Sequence, residues 1–285
     1  MKVKKAVITA AAPYQRKLPL QTLYNQEGIK KSVLEILIEE VIHAGINEIC
    51  VVIHPGDEAS FESVLGSYRE QIKFMPQEKP LGYGHALFSA ASFTGDDPFL
   101  HLVGDHIYVR KTETGSAQHL VSQAEKYECS ISAVQATREN LIPHFGVVGG
   151  SRIQGNQELY QINKVIEKPT PTEAEQKLMV PGLRTGYYLC FFGMHVLTST
   201  IMKILHEKIT ADPEGKHNLS DSLNALSQKE QYFALEKTDL RFDMGTRYGL
   251  MKAQLAIALN GKDRDRVMSE LLEFFVTKDL SSNNQ

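Results

Sequence analysis

Six polar residues stand where apolar runs end, and their types suit phosphate and metal chemistry. "FLHLVGDH" closes on Gly104-Asp105, and "LRFDMG" sets Asp243 just before a glycine. A carboxylate at a strand tip suits Mg²⁺, which takes one or two carboxylates and leaves the rest of its shell to phosphates and water. The same Asp also suits a turn in which its side chain hydrogen-bonds its own backbone. Together, Asp105 and Asp243 would clamp one Mg²⁺ on a bound nucleotide. "VIEKP" ends a strand on Glu167-Lys168. Adjacent strand residues point to opposite faces, so both reach one ligand only if the chain turns there. Pro169 provides for that turn, and a solvated surface pair is the plain alternative. Arg16 follows the first strand, and Gln77 follows "IKFMP".

"QEKPLGYGHALFSA" places Gly82 and Gly84 ahead of a helix. Glycine lets the backbone approach a flat base or a phosphate, and a helix N-terminus favours negative charge. The spacing is not the dinucleotide fingerprint, and an ordinary capped turn reads the same way. There is no G-x-x-x-x-G-K-[ST], which argues against a Walker-type NTPase. No Ser-His-Asp or Cys-His order stands out, and His54, His85, His101 and His106 form no metal-ligand spacing.

The bulk numbers narrow the class. The chain has 285 residues and a net charge of −3, without a basic block, so nucleic acid is not expected as a partner. No run approaches the ~18 apolar residues of a membrane span. Cys50, Cys129 and Cys190 have no metal spacing and read as buried free thiols, which fits a reducing cytoplasm. The start "MKVKKAVITAAAP" reads as a first strand, because its apolar run is too short for a signal peptide.

These residues need elements to carry them. In the first half, strand-like runs alternate with helical ones. "KKAVITA", "NEICVVIHPG", "IKFMPQ", "FLHLVGDH" and "CSISAVQA" read as strands. "SVLEILIEEVIHAG", "DEASFESVLGSY", "GYGHALFSAAS" and "GSAQHLVSQAEKY" read as helices. Ser32 is a candidate N-cap and Gly45 a candidate C-cap. Repeated β-α-β units predict a mostly parallel sheet with helices on both faces, and ligands beyond the carboxyl ends of its strands. In the second half, "HFGVVGG", "LYQINKVIEKP", "GLRTGYYLCFFG" and "QYFALEK" read as strands, and "HVLTSTIMKILHEKI" and "NLSDSLNALSQ" as helices. The C-terminal stretch is helical, with Val267, Leu271, Leu272 and Phe275 on one face. The tail 281–285 reads as disordered.

Taken in order, "KKAVITA", "Q…GYGHAL", "VGDH", "FGVV", "VIEKP", "GYYL" and "FDMGTRYGLMKAQLAIAL" resemble the bacterial UTP–glucose-1-phosphate uridylyltransferases, within the sugar-nucleotide pyrophosphorylases. The set rather than any single piece carries the resemblance, over roughly Lys4 to Leu259. It implies an α/β fold: a Rossmann-like, mixed and mostly parallel sheet flanked by helices, with an added sugar-binding β-region and C-terminal helices. One domain, 1–280, would hold a nucleotide-binding half (about 1–140), a sugar-binding half (about 141–246) and C-terminal helices (247–280). The implied reaction joins UTP and glucose-1-phosphate with Mg²⁺, giving UDP-glucose and pyrophosphate. Asp105 and Asp243 would hold the metal. Ala11, Ala12, Gln77, Gly82 and Gly84 would line the nucleotide, and Gly146, Glu167 and Gly186 the sugar. Lys168 would bind phosphate, and Arg16 would grip the triphosphate. A cytoplasmic homo-oligomer is implied.

The departures concentrate in "VITAAAPYQRKLPL". The family pattern there is glycine-x-glycine-threonine-arginine, then a proline and later a proline-lysine-glutamate stretch. Here Ala12 and Tyr14 hold the glycine positions and Gln15 the threonine position. Pro13 has no N–H to offer a phosphate. Only Arg16 and Pro19 stay in register, and no lysine follows a proline in "LYNQEGIKKSVLE". Each lost charge-assisted contact is worth ~1.5–3 kcal/mol, or about 10- to 150-fold in binding or rate. Two further readings follow. One is a catalytically weak or inactive paralogue that binds a sugar nucleotide as a regulatory or partner subunit. The other is the same chemistry with another nucleotide or sugar phosphate.

Overall fold

The computed structural model describes residues 1–110 and 114–282, with side chains through Thr277. Its strands are β1 (Lys5–Thr9), β2 (Thr22–Tyr24), β3 (Lys30–Ser32), β4 (Glu48–Ile53), β5 (Ile72–Pro76), β6 (Phe99–Val103), β7 (His106–Val109), β8 (Ser130–Arg138), β9 (Gly146–Arg152), β10 (Leu159–Glu167), β11 (Tyr187–Leu197), β12 (Tyr232–Glu236) and β13 (Leu240–Asp243). Its helices are α1 (Val33–His43), α2 (Glu58–Glu62), α3 (Tyr83–Phe88), α4 (Ala91–Thr94), α5 (Ser116–Tyr127), α6 (Pro171–Lys177), α7 (Thr200–Ala211), α8 (Leu219–Lys229), α9 (Gly249–Leu259) and α10 (Arg264–Ser282).

Nine strands form one mixed sheet in the order β5-β4-β1-β6-β11-β8-β12-β10-β9. Parallel pairing joins β5-β4-β1-β6 and β8–β12, and the remaining pairings are antiparallel. β9 also pairs with β11, so the second half closes into a small barrel. Strand β1 is short and apolar, and it is buried on both faces, as a central parallel strand must be. Its alternation feeds two cores. Ala6, Ile8 and Ala10 pack with α1 and α5, whereas Val7 and Ala11 pack with α7 and α8.

Local signals set the element ends. Ser32 caps α1 through a reciprocal box: the Glu35 amide donates to Ser32 Oγ (3.0 Å), and the Ser32 amide donates to Glu35 Oε2 (2.7 Å). Such a cap contributes about 1 kcal/mol. Gly45 ends the helix with φ +83°, a left-handed position that favours glycine. The expected helix from His195 begins later. His195–Leu197 extend β11 beyond a register shift near Gly193 (φ +89°), and α7 starts at Thr200. All three cysteines are buried and free. Ser281 and Ser282, read from the sequence as tail, close α10, and residues 283–285 lie outside the described residues. No helix among the described residues is long and apolar enough to cross a membrane.

Two small ribbons lie beside the main sheet. β2 pairs with β3, and β7 pairs antiparallel with β13. The second ribbon positions Asp105, His106 and Asp243.

Candidate active site

Parallel register brings the carboxyl ends of β1, β4, β5 and β6 to one edge. Thr9 lies opposite both Val52 and Val103, and Ile53 lies opposite Pro76. Beyond that edge is a cavity of about 430 Å³. Ala11, Ala12, Gln77, Gly82, Asp105, Glu167, Lys168 and Asp243 all line it. A second cavity, of about 500 Å³, lies between the β2–β3 hairpin and the C-terminal helices. It carries none of the expected site residues.

The β7–β13 ribbon builds the carboxylate corner. Asp243 pairs with His106 in register, and the Met244 amide donates to the Asp105 carbonyl (2.9 Å). Ligand atoms of Asp105, His106 and Asp243 lie within 4.8 Å of one another. His106 Nδ1 is 2.8 Å from Asp105 Oδ1, and the Gly245 amide donates to Asp243 Oδ1 (2.8 Å). Burial pushes the Asp105 carboxyl up, but the hydrogen bond and charge of His106 outweigh it and hold the group below the usual carboxylate range. An ionised aspartate beside a second one fits a hard divalent cation. His106, which sequence spacing gave no metal role, belongs to this group, and its place beside Asp105 was the one available signal.

Another wall comes from the end of β10. Lys168 takes φ +48°, and its amide donates to the Phe145 carbonyl (2.9 Å). This left-handed turn before Pro169 is what brings Glu167 and Lys168 to one cavity, their charged ends 3.9 Å apart. Ser220, near the start of α8, donates its hydroxyl to Glu167 Oε2 (2.5 Å). Gly146 is not in the lining but explains it. A Cβ there would sit 2.8 Å from Ser220 Oγ and 3.1 Å from Glu167 Oε2, so only glycine leaves room for that pair.

A third wall joins Gln77, Gly82 and Tyr83. Gln77 is buried, and its Nε2 donates to the Gly82 carbonyl (3.2 Å) and lies 3.2 Å from His85 Nδ1. Gly82 takes φ +102°, and a side chain there would strike the His217 carbonyl at 2.7 Å. Gly84 lies behind the wall, its amide donating to His217 O (2.8 Å), so its role is close packing rather than lining. Thr9 and Tyr83 also face the cavity, without prior signal in the sequence. Behind them His101 Nε2 lies 3.2 Å from Thr9 Oγ1 and 3.3 Å from Tyr83 Oη. His101 stacks on His195, with ring centroids 5.6 Å apart. Burial keeps both rings neutral. It holds His101 well below its ordinary value, helped by the charge of His195, and lowers His195 to about 3.

The glycine-free loop folds differently from a phosphate cradle. The amides of Gln15 and Arg16 both donate to the Ala12 carbonyl (3.0 and 2.8 Å), closing one helical turn on Pro13. Those two donors therefore point inward along the chain. Tyr14 is fully exposed. Arg16 does not line the cavity; its guanidinium pairs with Asp57 Oδ2 at 3.3 Å. Gln15 does line it and lies against Gly245, beside Asp243. Gly186 is also outside the lining, where it turns the chain into β11 at φ +75° and accepts the Glu139 amide.

The model of the nucleotidyl transferase family matches residues 22–259, beginning just past the altered loop. A UTP–glucose-1-phosphate uridylyltransferase of Bacillus subtilis is 28% identical, over 96% of this chain and 94% of that protein. A putative UTP–glucose-1-phosphate uridylyltransferase of Methanocaldococcus jannaschii is 25% identical, over 96% and 99%. Among solved structures, a UDP-glucose pyrophosphorylase complexed with UDP-glucose superposes with a TM-score of 0.72 at 22% identity, covering 89% of this chain and 98% of that one. A UTP-bound enzyme from Acinetobacter baumannii gives 0.72 at 20% identity, over 95% and 98%. At these identities the solved structures speak for the fold.

Proposed function

The chain belongs to the nucleotidyl transferase family, and we propose that it transfers a uridylyl group from UTP to glucose-1-phosphate, giving UDP-glucose and pyrophosphate. One observation carries the reading. A paired-carboxylate corner and an acid–lysine turn line a single cavity at the strand ends. That is what a reaction between a nucleoside triphosphate and a phosphorylated sugar needs.

In this reading an oxygen of the sugar phosphate attacks the α-phosphorus in line. A new P–O bond forms there, the bond to the bridging oxygen breaks, and pyrophosphate leaves without a covalent enzyme intermediate. Asp105 and Asp243 would hold Mg²⁺, which would supply neutralisation of charge on the phosphates. Gln77 and Gly82 face the base. Glu167, held by Ser220 Oγ, accepts sugar hydroxyls. Lys168 binds the phosphate of the sugar. The residues thus act by orientation and charge neutralisation. Pyrophosphate release from UTP plus glucose-1-phosphate and Mg²⁺ tests the proposal. Release at an enzyme rate is expected. No release above background, with other nucleotides and sugar phosphates included, would overturn it.

The loop supports a second reading, in which the chain binds a sugar nucleotide without efficient turnover. Its motive is that Gln15 and Arg16 spend their amides on Ala12 and that Arg16 is paired with Asp57. Calorimetric binding of UDP-glucose without turnover would support this reading, and ordinary turnover would exclude it.

A further inference from the structure

One polar cluster at the cavity belongs neither to the carboxylate corner nor to the acid–lysine turn. Thr9 ends β1 and Tyr83 opens α3, and both line the cavity with Gln77, Asp105 and Glu167. His101 presents Nε2 to both hydroxyls, 3.2 Å from Thr9 Oγ1 and 3.3 Å from Tyr83 Oη. Its ring is fully buried and packs against the rings of Tyr83 and His195, with centroids 5.5 and 5.6 Å away. His195 is held in turn, its Nδ1 2.6 Å from Ser132 Oγ. The ring that meets the two hydroxyls is thus fixed in place.

Proton accounting gives the cluster a direction. A neutral imidazole has one N–H and one lone pair for hydrogen bonding. His101 Nδ1 is buried and has no hydrogen-bond partner among the described residues. A proton there would be an orphaned buried N–H, which folded proteins avoid. The proton therefore belongs on Nε2, and His101 donates to the hydroxyl oxygens. Their own hydrogens are then directed away from the ring. One is spent where Thr9 and Tyr83 meet, and the other is left for whatever fills the cavity. Burial, with the charge of Asp105, raises the Tyr83 hydroxyl well above its ordinary value, so it keeps its proton. An O–H donor near Asp105, with its oxygen already engaged by an N–H, suits an oxygen that only accepts. We propose that the Thr9–Tyr83 pair, oriented by His101, donates to a phosphoryl oxygen of the bound nucleotide. It supplies at the end of β1 a donor that the loop does not, since the Gln15 and Arg16 amides turn to Ala12. Thr9 and Tyr83 touch the ligand, and His101 is a positioning residue. This role rests on the reading of the cavity as a nucleotide site, with or without efficient turnover.

Calorimetry on the full chain tests it, with UDP as one ligand and uridine, measured by displacement of UDP-glucose, as the other. Tyr83→Phe keeps the ring and removes the hydroxyl. It should weaken UDP binding by about tenfold or more and leave uridine binding within about twofold, because the lost bond was to a charged oxygen. His101→Leu should reproduce the selective loss on UDP. His101→Gln, which offers an N–H near the place of Nε2, should restore most of it. Unchanged UDP binding in Tyr83→Phe would overturn the proposal. So would equal losses for UDP and uridine, which would place the hydroxyl on the base or the ribose. A loss in His101→Leu that His101→Gln does not reverse would reduce His101 to packing and overturn its positioning role. A wild-type chain that binds neither UDP nor UDP-glucose would overturn the nucleotide reading itself, and this role with it.

Discussion

Two sides of one cavity are built by different means. The carboxylate corner rests on strand pairing. Register in the β7–β13 ribbon sets Asp243 beside His106, and a backbone bond ties Met244 to Asp105. The loop from Ala12 to Arg16 rests on its own backbone. The amides fold inward, and the arginine turns to Asp57. A site built on sheet register tolerates sequence change around it, whereas a site built on backbone amides is rewritten by the residues of the loop itself. The family match begins at residue 22, on the far side of that loop.

The largest expected effect lies in the corner. Asp105→Asn should reduce pyrophosphate release by about 10³-fold or more, through lost metal binding. Its melting temperature should stay close to wild type, because the strands keep their pairing. Full activity in this variant would remove the corner from the mechanism and dissolve the contrast.

Acid should strain the sheet-built side next, through the His101–His195 stack on β6 and β11. An unfolded histidine titrates near pH 6.5. In the fold, burial keeps His195 neutral down to about 3, and His101 stays well below its ordinary value. Stability is therefore full above pH 6.5. Below it the unfolded chain binds protons that the folded chain refuses. The loss is about 1.4 kcal/mol per pH unit for each ring until the folded values are reached. Thermal melts at pH 7 and 5.5 should show the fall, and His195→Gln should roughly halve its slope. A flat profile over that range would show that the two rings take up protons in place.

The smallest effects test the loop. Arg16→Ala should lower kcat/KM by about 10- to 150-fold if the side chain leaves Asp57 to meet the triphosphate. Asp57→Asn should then lower KM for UTP by about fivefold or less, because a part-exposed ion pair is worth only ~1 kcal/mol. If Asp57→Asn instead costs as much as Arg16→Ala, the pair supports the arginine rather than holding it away.

The sequence made the strand ends legible because buried parallel strands read as apolar runs and their polar terminators stand out. It also made the α1 caps legible and the need for a turn at Pro169. It did not show β7 or β13. Four-residue strands carry almost no periodicity, and their pairing joins distant parts of the chain. His106 therefore had no visible partner. Nor does the sequence show that Gly146 makes room for Glu167 and Ser220, which lie far from it along the chain. The partner of Arg16 was hidden for a similar reason. Asp57 sits after another strand, and nothing local links the two.

The β7–β13 ribbon also bears on how the chain is made. β7 leaves the ribosome long before β13, its one strand partner among the described residues, and until β13 follows it is a bare edge open to wrong pairing. Sheets completed by such distant segments form slowly. A chain stopped between Val103 and Leu240 contains all four strands of β5-β4-β1-β6 yet lacks the second carboxylate altogether. The cluster of Asp105, His106 and Asp243 is therefore complete only once synthesis has passed β13.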